Sequence, residues 1–403
     1  MELLSPAGNM EKLKAAVLYG ADAVYFGTDA FSLRAKAGNI PLDEIPVALE
    51  YLHERGKKGY LTLNSFLRDY EEDMLIKYAK ATAEMKVDGF IVSDPGVFSL
   101  VRKVSPEVPV SISTQANTTN SAAVRFWAEA GARRVILARE LSREELSEIV
   151  KNSPIEVEMF CHGAICISYS GRCLISAYMA GRDANRGECA QPCRWNYTIQ
   201  EATREDNMEI EEDREGTYLY NAKDLALIDR VGELFDMGVA SLKIEGRMKS
   251  VMYVAVTTAV YRKAIDEAKA GSFSAIEKMR CLLSSVSNRH YTEGFYSGRP
   301  DEDCMNYASS AYVRGTDFVG VVEEVLDEGL LIDCRGRFKK GENLSFFTPD
   351  LAEPEISIDY IECAGEILDY TKPGQKVFVK TQAKVPEGSI LRRALEALHS
   401  PII

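Results

Sequence analysis

No apolar run in the 403 residues approaches the length needed to cross a bilayer, so no membrane-spanning helix and no membrane partner is expected. The opening stretch, MELLSPAGNMEKLK, has neither a basic region nor a long apolar one. No secretory signal is expected from it, and the default compartment is the cytoplasm, a reducing one. A surplus of positive charge is missing too. The formal net charge is −13, which argues against broad, non-specific nucleic-acid binding and leaves room for a local basic patch. No glycine-rich dinucleotide loop follows the first strand-like run. There is no H-E-x-x-H, since HERGK at 53–57 lacks the second histidine, and no serine nucleophile elbow.

What is present is the composition of an ordinary globular chain, 46% hydrophobic and 27% charged, of a length that predicts two or three domains. Eight short β-type runs recur through the first 250 residues: ELLSP (2–6), AVYFG (23–27), YLTLN (60–64), GFIVS (89–93), PVSIS (109–113), RVILA (134–138), VEMFC (157–161) and SLKIE (241–245). They are continuously apolar, as strands buried on both faces must be. Amphipathic stretches such as NMEKLKAAVLYG and NSAAVRFWAEAG fill most gaps, SREE at 142–145 is a capping box, and Gly20, Gly131 and Gly238 close helices. The pattern predicts an α/β fold, a (β/α)8 TIM-like barrel over residues 1–270, with an open doubly wound sheet as the alternative. Residues 271–310 read as a bridging segment. From about 311 to 403 short β runs separated by turns take over, predicting a small all-β, barrel-like domain.

One βα connection is far too long. It runs over about 162–222, from VEMFC to the expected helix KDLALIDRVGELFDMG, where about 2–6 residues are usual. Just before or within it lie five of the nine cysteines, Cys161, Cys166, Cys173, Cys189 and Cys193, spaced Cys166-x6-Cys173-x15-Cys189-x3-Cys193. These spacings match neither zinc-ribbon knuckles nor the bacterial ferredoxin run. In a reducing compartment clustered thiols favour metal over disulfides, and flanks rich in Gly, Arg and Asp are poor core positions. Iron–sulfur and zinc both remain open on spacing.

The segment EMFCHGAICISYSGRCLIS (158–176) closely resembles the signature of the collagenase-like peptidase U32 family, with Glu158, Phe160, Gly163, Cys166, Gly171, Cys173 and Ser176 in their places. ELLSPAG, GADAVYFG, STQANTTN, NAKDL and LKIEGRMKS resemble further family blocks, so the resemblance spans essentially the whole chain. Members resemble oxygen-independent hydroxylases that carry a 4Fe–4S cluster and act on tRNA wobble uridine, ribosomal RNA cytidine or the ubiquinone ring. For the RNA-acting members prephenate is the implied hydroxyl donor. Length and the C-terminal β region make the chain most similar to the members that hydroxylate tRNA uridine at position 5. The resemblance puts the cluster ligands on Cys166, Cys173, Cys189 and Cys193 and leaves Cys161 as a spare thiol.

In (β/α)8 enzymes chemistry sits where the strands end. Here those ends deliver Asn64, Asp94, Gln115, Arg139, Glu140, His162, Lys243, Glu245 and Arg247. Glu245 and His162 are the proton-transfer candidates, and Gln115 could read a uracil edge. Arg139, Lys243 and Arg247, with Asn64, are candidates to hold a diacid donor or an RNA phosphate. His290 and Tyr291 are expected to line the rim. Arg172, Arg182, Arg186 and Arg194 form a local basic excess, expected to contact tRNA. A peptidase, and a zinc-stabilised RNA-binding protein without catalysis, are the competing readings.

Overall fold

A computed structural model describes residues 1–32, 38–166, 168–182, 184, 188–195, 212–213, 216–217, 222–298, 304 and 312–395. Eight strands, β1 (Glu2–Pro6), β2 (Ala23–Phe26), β3 (Lys58–Leu63), β4 (Gly89–Val92), β5 (Val110–Ile112), β6 (Arg134–Ile136), β7 (Glu156–Gly163) and β8 (Ser241–Ile244), each pair in parallel with the next. β8 then pairs with β1, which closes the barrel. Each is one of the eight expected runs, with ends within two residues. The barrel is therefore the fold, and the open sheet is excluded by the closing β8–β1 pair.

Helices cover the outside because their apolar faces repeat at helical spacing. Met10–Leu18 buries Leu13, Ala16 and Val17; Ile45–His53 buries Ala48, Leu49 and Leu52. The expected capping box forms, with the Ser142 hydroxyl accepting from the Glu145 amide and the Glu145 carboxylate accepting from the Ser142 amide. Gly238 ends its helix at φ 90°, a left-handed position glycine adopts at little cost.

The helix expected to begin at Lys223 starts later. Asp224–Ala226 is instead a short strand antiparallel to β7, pairing Leu225 with Gly163 and Ala226 with His162, and the helix proper is Val231–Met237. Sheet pairing with a strand some sixty residues away overrides the local helical pattern. Tyr291–Thr292 pairs with that short strand on its other side, so part of the bridging segment extends the barrel sheet.

The C-terminal region is an eight-stranded antiparallel sheet. It folds round its own core, which includes Val319, Ile332, Phe346, Val377 and Leu391. Phe347, Leu351 and Ile390 join the barrel's core instead. The Tyr19 ring stacks on Phe347 at 5.7 Å and its hydroxyl donates to the Phe347 carbonyl at 2.8 Å. Among the described residues no helix is long and apolar enough to cross a membrane.

Candidate active site

The lower barrel interior carries charge. Arg134 on β6 donates to Glu2 on β1 at 2.6 Å, to Glu156 at 2.8 Å and to Glu158 on β7 at 2.8 Å. Strands β1 and β6 are not neighbours, so the Arg134–Glu2 pair spans the interior. Burial alone would lower the Arg134 guanidinium, but Glu158 and Glu2 outweigh it and hold it above its ordinary value. One layer up, Lys243 on β8 is buried with Nζ 3.6 Å from Glu158 and 4.1 Å from the Tyr25 ring centroid. Burial lowers its pKa, against the opposing pull of Glu158 and Glu245.

Above this layer, at the C-terminal ends of the strands, opens a cavity of about 140 Å³. Its wall brings together Asn64, Gln115, Arg139, Lys243, Glu245 and Arg247 with Cys166, Cys173, Cys189 and Cys193. Asn64 donates to the Gln115 side-chain oxygen at 3.2 Å, so the two amides act as a pair. Arg139 donates to the Ala164 carbonyl at 2.8 Å and lies over the Phe160 ring, while its Nε is buried and without a hydrogen-bond partner. Arg247 donates to Ser32 at 2.8 Å and Asn39 at 2.6 Å. Glu245 accepts from the Tyr25 hydroxyl at 3.3 Å. Gly163 ends β7 at φ 106°, and a Cβ there would meet the Glu245 carbonyl at 2.5 Å, so glycine allows the close approach that brings the insertion over the mouth.

The cysteine insertion is tied down from both sides. The Glu140 carboxylate accepts from the Ser170 amide and hydroxyl, both at 2.5 Å, and fixes Ser170 at φ 41°. The buried Ser176 hydroxyl accepts from the Ala190 amide at 3.0 Å, joining the Cys173 and Cys189 segments. Amides of Ile175 and Gln191 donate to the sulfurs of Cys173 and Cys189 at 3.4 Å, bonds that stabilise thiolate charge. In kind the four thiols suit a soft metal or iron–sulfur group. Among the described residues no three His, Cys, Asp or Glu side chains stand together as a ready-made metal-binding group, so the thiols share a cavity wall without converging on one point.

Residues 8–306 match Peptidase family U32 and residues 314–392 match the Peptidase family U32 C-terminal domain. The chain belongs to peptidase family U32. It is 38% identical over 398 residues to "tRNA hydroxylation protein P1" of Bacillus subtilis (strain 168), covering 97% of this chain and 94% of the relative. It is 39% identical over 411 residues to "tRNA hydroxylation protein P" of Escherichia coli (strain K12), covering 91% and 90%. It is also 30% identical over 416 residues to "Collagenase" of Porphyromonas gingivalis (strain ATCC BAA-308 / W83), covering 97% of each.

Several residues expected at the mouth of this U32 barrel lie elsewhere. His162 is absent from the cavity wall. Between β7 and β8, Lys243 pairs with Phe160 but Ile244 with His162, so Cys161 is an extra residue and the register slips. Such a bulge sends the next side chain to the opposite face. His162 therefore packs outward among Tyr253, Tyr261 and Tyr291, fully buried. Burial, with a smaller contribution from Lys249, lowers its pKa to about 3. Cys161 is buried too, its thiol pushed well up by burial, and it does not line the cavity. Asp94 caps the helix Pro95–Val104 by accepting from the Gly96 and Val97 amides. His290 and Tyr291 are not on the wall either; Tyr291 is held by the Leu283 carbonyl at 2.8 Å. Of the four arginines, Arg172 is exposed and donates to the Gln115 carbonyl at 3.0 Å, and Arg182 lines a groove beside the cavity. Arg194 closes the turn Pro192–Arg194, and Arg186 lies outside the described residues. Sequence reasoning missed Tyr25 and Phe160, although both lie inside expected strands. Alternation predicts their inward direction only once the barrel's inside is known.

The His162 environment has a measurable consequence. An imidazole that binds its proton at pH 6.5 when unfolded and only near 3 when folded leaves the unfolded chain with more protons between those values. Its stabilising contribution is complete above pH 6.5 and falls as pH drops towards 3. The His162 ring resonances are expected to stay at their neutral positions from pH 8 to 5 in the folded protein. A midpoint near 6.5 would show instead that the ring is hydrated and available for proton transfer.

Proposed function

We propose that this U32 protein hydroxylates RNA, forming 5-hydroxyuridine at a tRNA wobble position, with a 4Fe–4S cluster held by Cys166, Cys173, Cys189 and Cys193 and a small diacid such as prephenate as hydroxyl donor. One observation carries the reading: four thiols line the same cavity as the Asn64–Gln115 amide pair and the basic side chains Arg139 and Lys243. Two relatives matched over at least nine-tenths of both chains bear names of tRNA hydroxylation, which supports the choice of RNA.

Bound at these thiols, the cluster would supply one-electron transfer. The amide pair can turn one donor and one acceptor to the edge of a uracil. Arg139, with a buried Nε still unpartnered, suits a carboxylate of the donor. Lys243 lies in the layer beneath, its Nζ 3.6 Å from Glu158. The base carbon exchanges a C–H bond for C–O and is oxidised by two electrons, and the donor loses its C–OH bond and is reduced by two. The proton that leaves the base passes to Glu245, the carboxylate on the wall. The peptidase reading has less support from the site. Among the described residues lining the cavity there is no histidine to pair with a thiol or hydroxyl nucleophile.

The test is nucleoside mass spectrometry of tRNA from a strain lacking the gene. 5-Hydroxyuridine and its derivatives are expected to disappear, to return with the wild-type gene and to stay absent with Glu245→Gln. Unchanged hydroxyuridine in the deletion strain would refute the assignment.

A further inference from the structure

The cavity does not end at the barrel rim. A groove of about 510 Å³ continues from it towards the C-terminal domain, and the two share Ala164, Cys189, Gln191 and Glu245 as a common wall. Arg182 of the cysteine insertion stands on one side, with its Nε buried and without a hydrogen-bond partner. Lys249 is on the floor, at the start of the helix Val251–Ala270, whose first turn carries no acidic residue. Tyr312 and Arg314 form the far side, just before the first strand of the β domain. The Tyr312 ring lies 4.0 Å from Lys249 Nζ and 4.5 Å from the Arg289 guanidinium, which holds two cations side by side. Arg314 is 57% exposed in its side chain and bridges to Asp317 at 2.9 Å. The groove wall has three basic side chains, Arg182, Lys249 and Arg314, against one lining carboxylate, Glu245, with Asp224 4.0 Å from Lys249 Nζ, in a chain of net charge −13.

We propose that this groove is the binding site for the phosphodiester backbone of the nucleotides flanking the target base, so that barrel and β domain grip the strand together. The inference rests on the RNA-hydroxylase reading and extends it. A cavity of about 140 Å³ admits a base and not a stem-loop, so the rest of the strand must lie on surface continuous with the mouth. The groove is that surface, and its positive charge matches phosphate. Arg182 and Arg314 come from different parts of the chain. They can contact one strand together only when insertion and β domain are both in place, which gives the β domain a part in recognition.

The experiment measures binding of a fluorescein-labelled oligouridylate to the full chain by anisotropy, over a range of salt. The variants are Arg182→Ala/Arg314→Ala, Arg314→Lys, and Arg55→Ala as a distant control. The double alanine variant is expected to bind on the order of ten-fold more weakly near physiological salt, and to lower the slope of log K against log salt by about 1.4, roughly 0.7 per lost single-strand phosphate contact. Arg314→Lys keeps the charge and should keep the slope, whereas a merely structural Arg314–Asp317 bridge predicts an unchanged slope in the double alanine variant as well. Thermal melting of each variant confirms folding. Wild-type binding with an unchanged slope in the double variant would overturn the groove and leave the hydroxylase reading intact. A wild-type chain that binds denatured collagen and no RNA would overturn both.

Discussion

Serine at Cys166, Cys173, Cys189 or Cys193 is expected to strip iron from anaerobically purified protein and to abolish RNA hydroxylation, whereas Cys161→Ser keeps its iron. All four thiols of the first group line the cavity at the barrel mouth, and the Cys173 and Cys189 sulfurs already accept backbone amide hydrogen bonds. A hydroxyl in place of any one removes a soft, anionic ligand that oxygen does not replace at neutral pH. Cys161 is buried on the bulged strand, 3.5 Å from the Lys243 carbonyl, and faces no part of the cavity. Its substitution places a hydroxyl in the core and lowers stability by about 1–3 kcal/mol unless the carbonyl accepts from it. The comparison is iron per chain, with the visible charge-transfer band, across the five single variants. Full iron in the Cys189 or Cys193 variant, together with loss in the Cys161 variant, would reassign the ligands.

Arg134→Met should cost about 3–5 kcal/mol, the usual penalty for removing one partner of a buried ion pair, out of a total folding stability of about 5–15 kcal/mol. Arg134 is the hub of Glu2, Glu156 and Glu158, and Glu158 is 1% exposed. Without the guanidinium, Lys243 at 3.6 Å is the cation left beside Glu158.

The pH dependence separates this account from simple loss of packing. In the wild type, burial acts to raise the Glu156 carboxyl, but hydrogen bonding and charge from Arg134 prevail and hold it below its ordinary value. A depressed carboxylate stabilises the fold above its unfolded pKa, near 4.3, and that contribution is lost as pH falls through the folded value. In the variant the carboxylates face one another without that cation, so protonation relieves the folded state and the deficit shrinks on acidification. Urea midpoints at pH 7 and pH 5 test this. A deficit equal at both pH values would mean that charge is not the cause. Glu158→Gln added to Arg134→Met should recover part of the loss.

Much of this architecture was legible from residue order alone. Eight continuously apolar runs in alternation with helical spacing specify strands covered on both faces, and such strands close into a barrel or form an open sheet. The capping box at Ser142 is a local device and forms as its residues dictate. The cysteines and the long connection point to one end of the barrel because βα connections leave the C-terminal ends of strands. Asn64, Gln115, Arg139, Lys243, Glu245 and Arg247 reach the cavity for the same reason.

Tertiary structure decided the rest. His162 sits beside the signature cysteines, yet one extra residue at Cys161 turns it to the outer face, and that slip exists only in the register between β7 and β8. Asp224–Ala226 has a helical pattern and becomes a strand because the edge of β7 is there to pair with it. Arg134 and Glu2 are 132 residues apart, and only closure of the barrel makes them partners. The groove joins an arginine of the insertion to another at the start of the β domain, a proximity that no local pattern encodes. Short-range hydrogen bonding and periodicity can be read along a chain, whereas the facing of a side chain and the company of a charge depend on which distant segments pack against it.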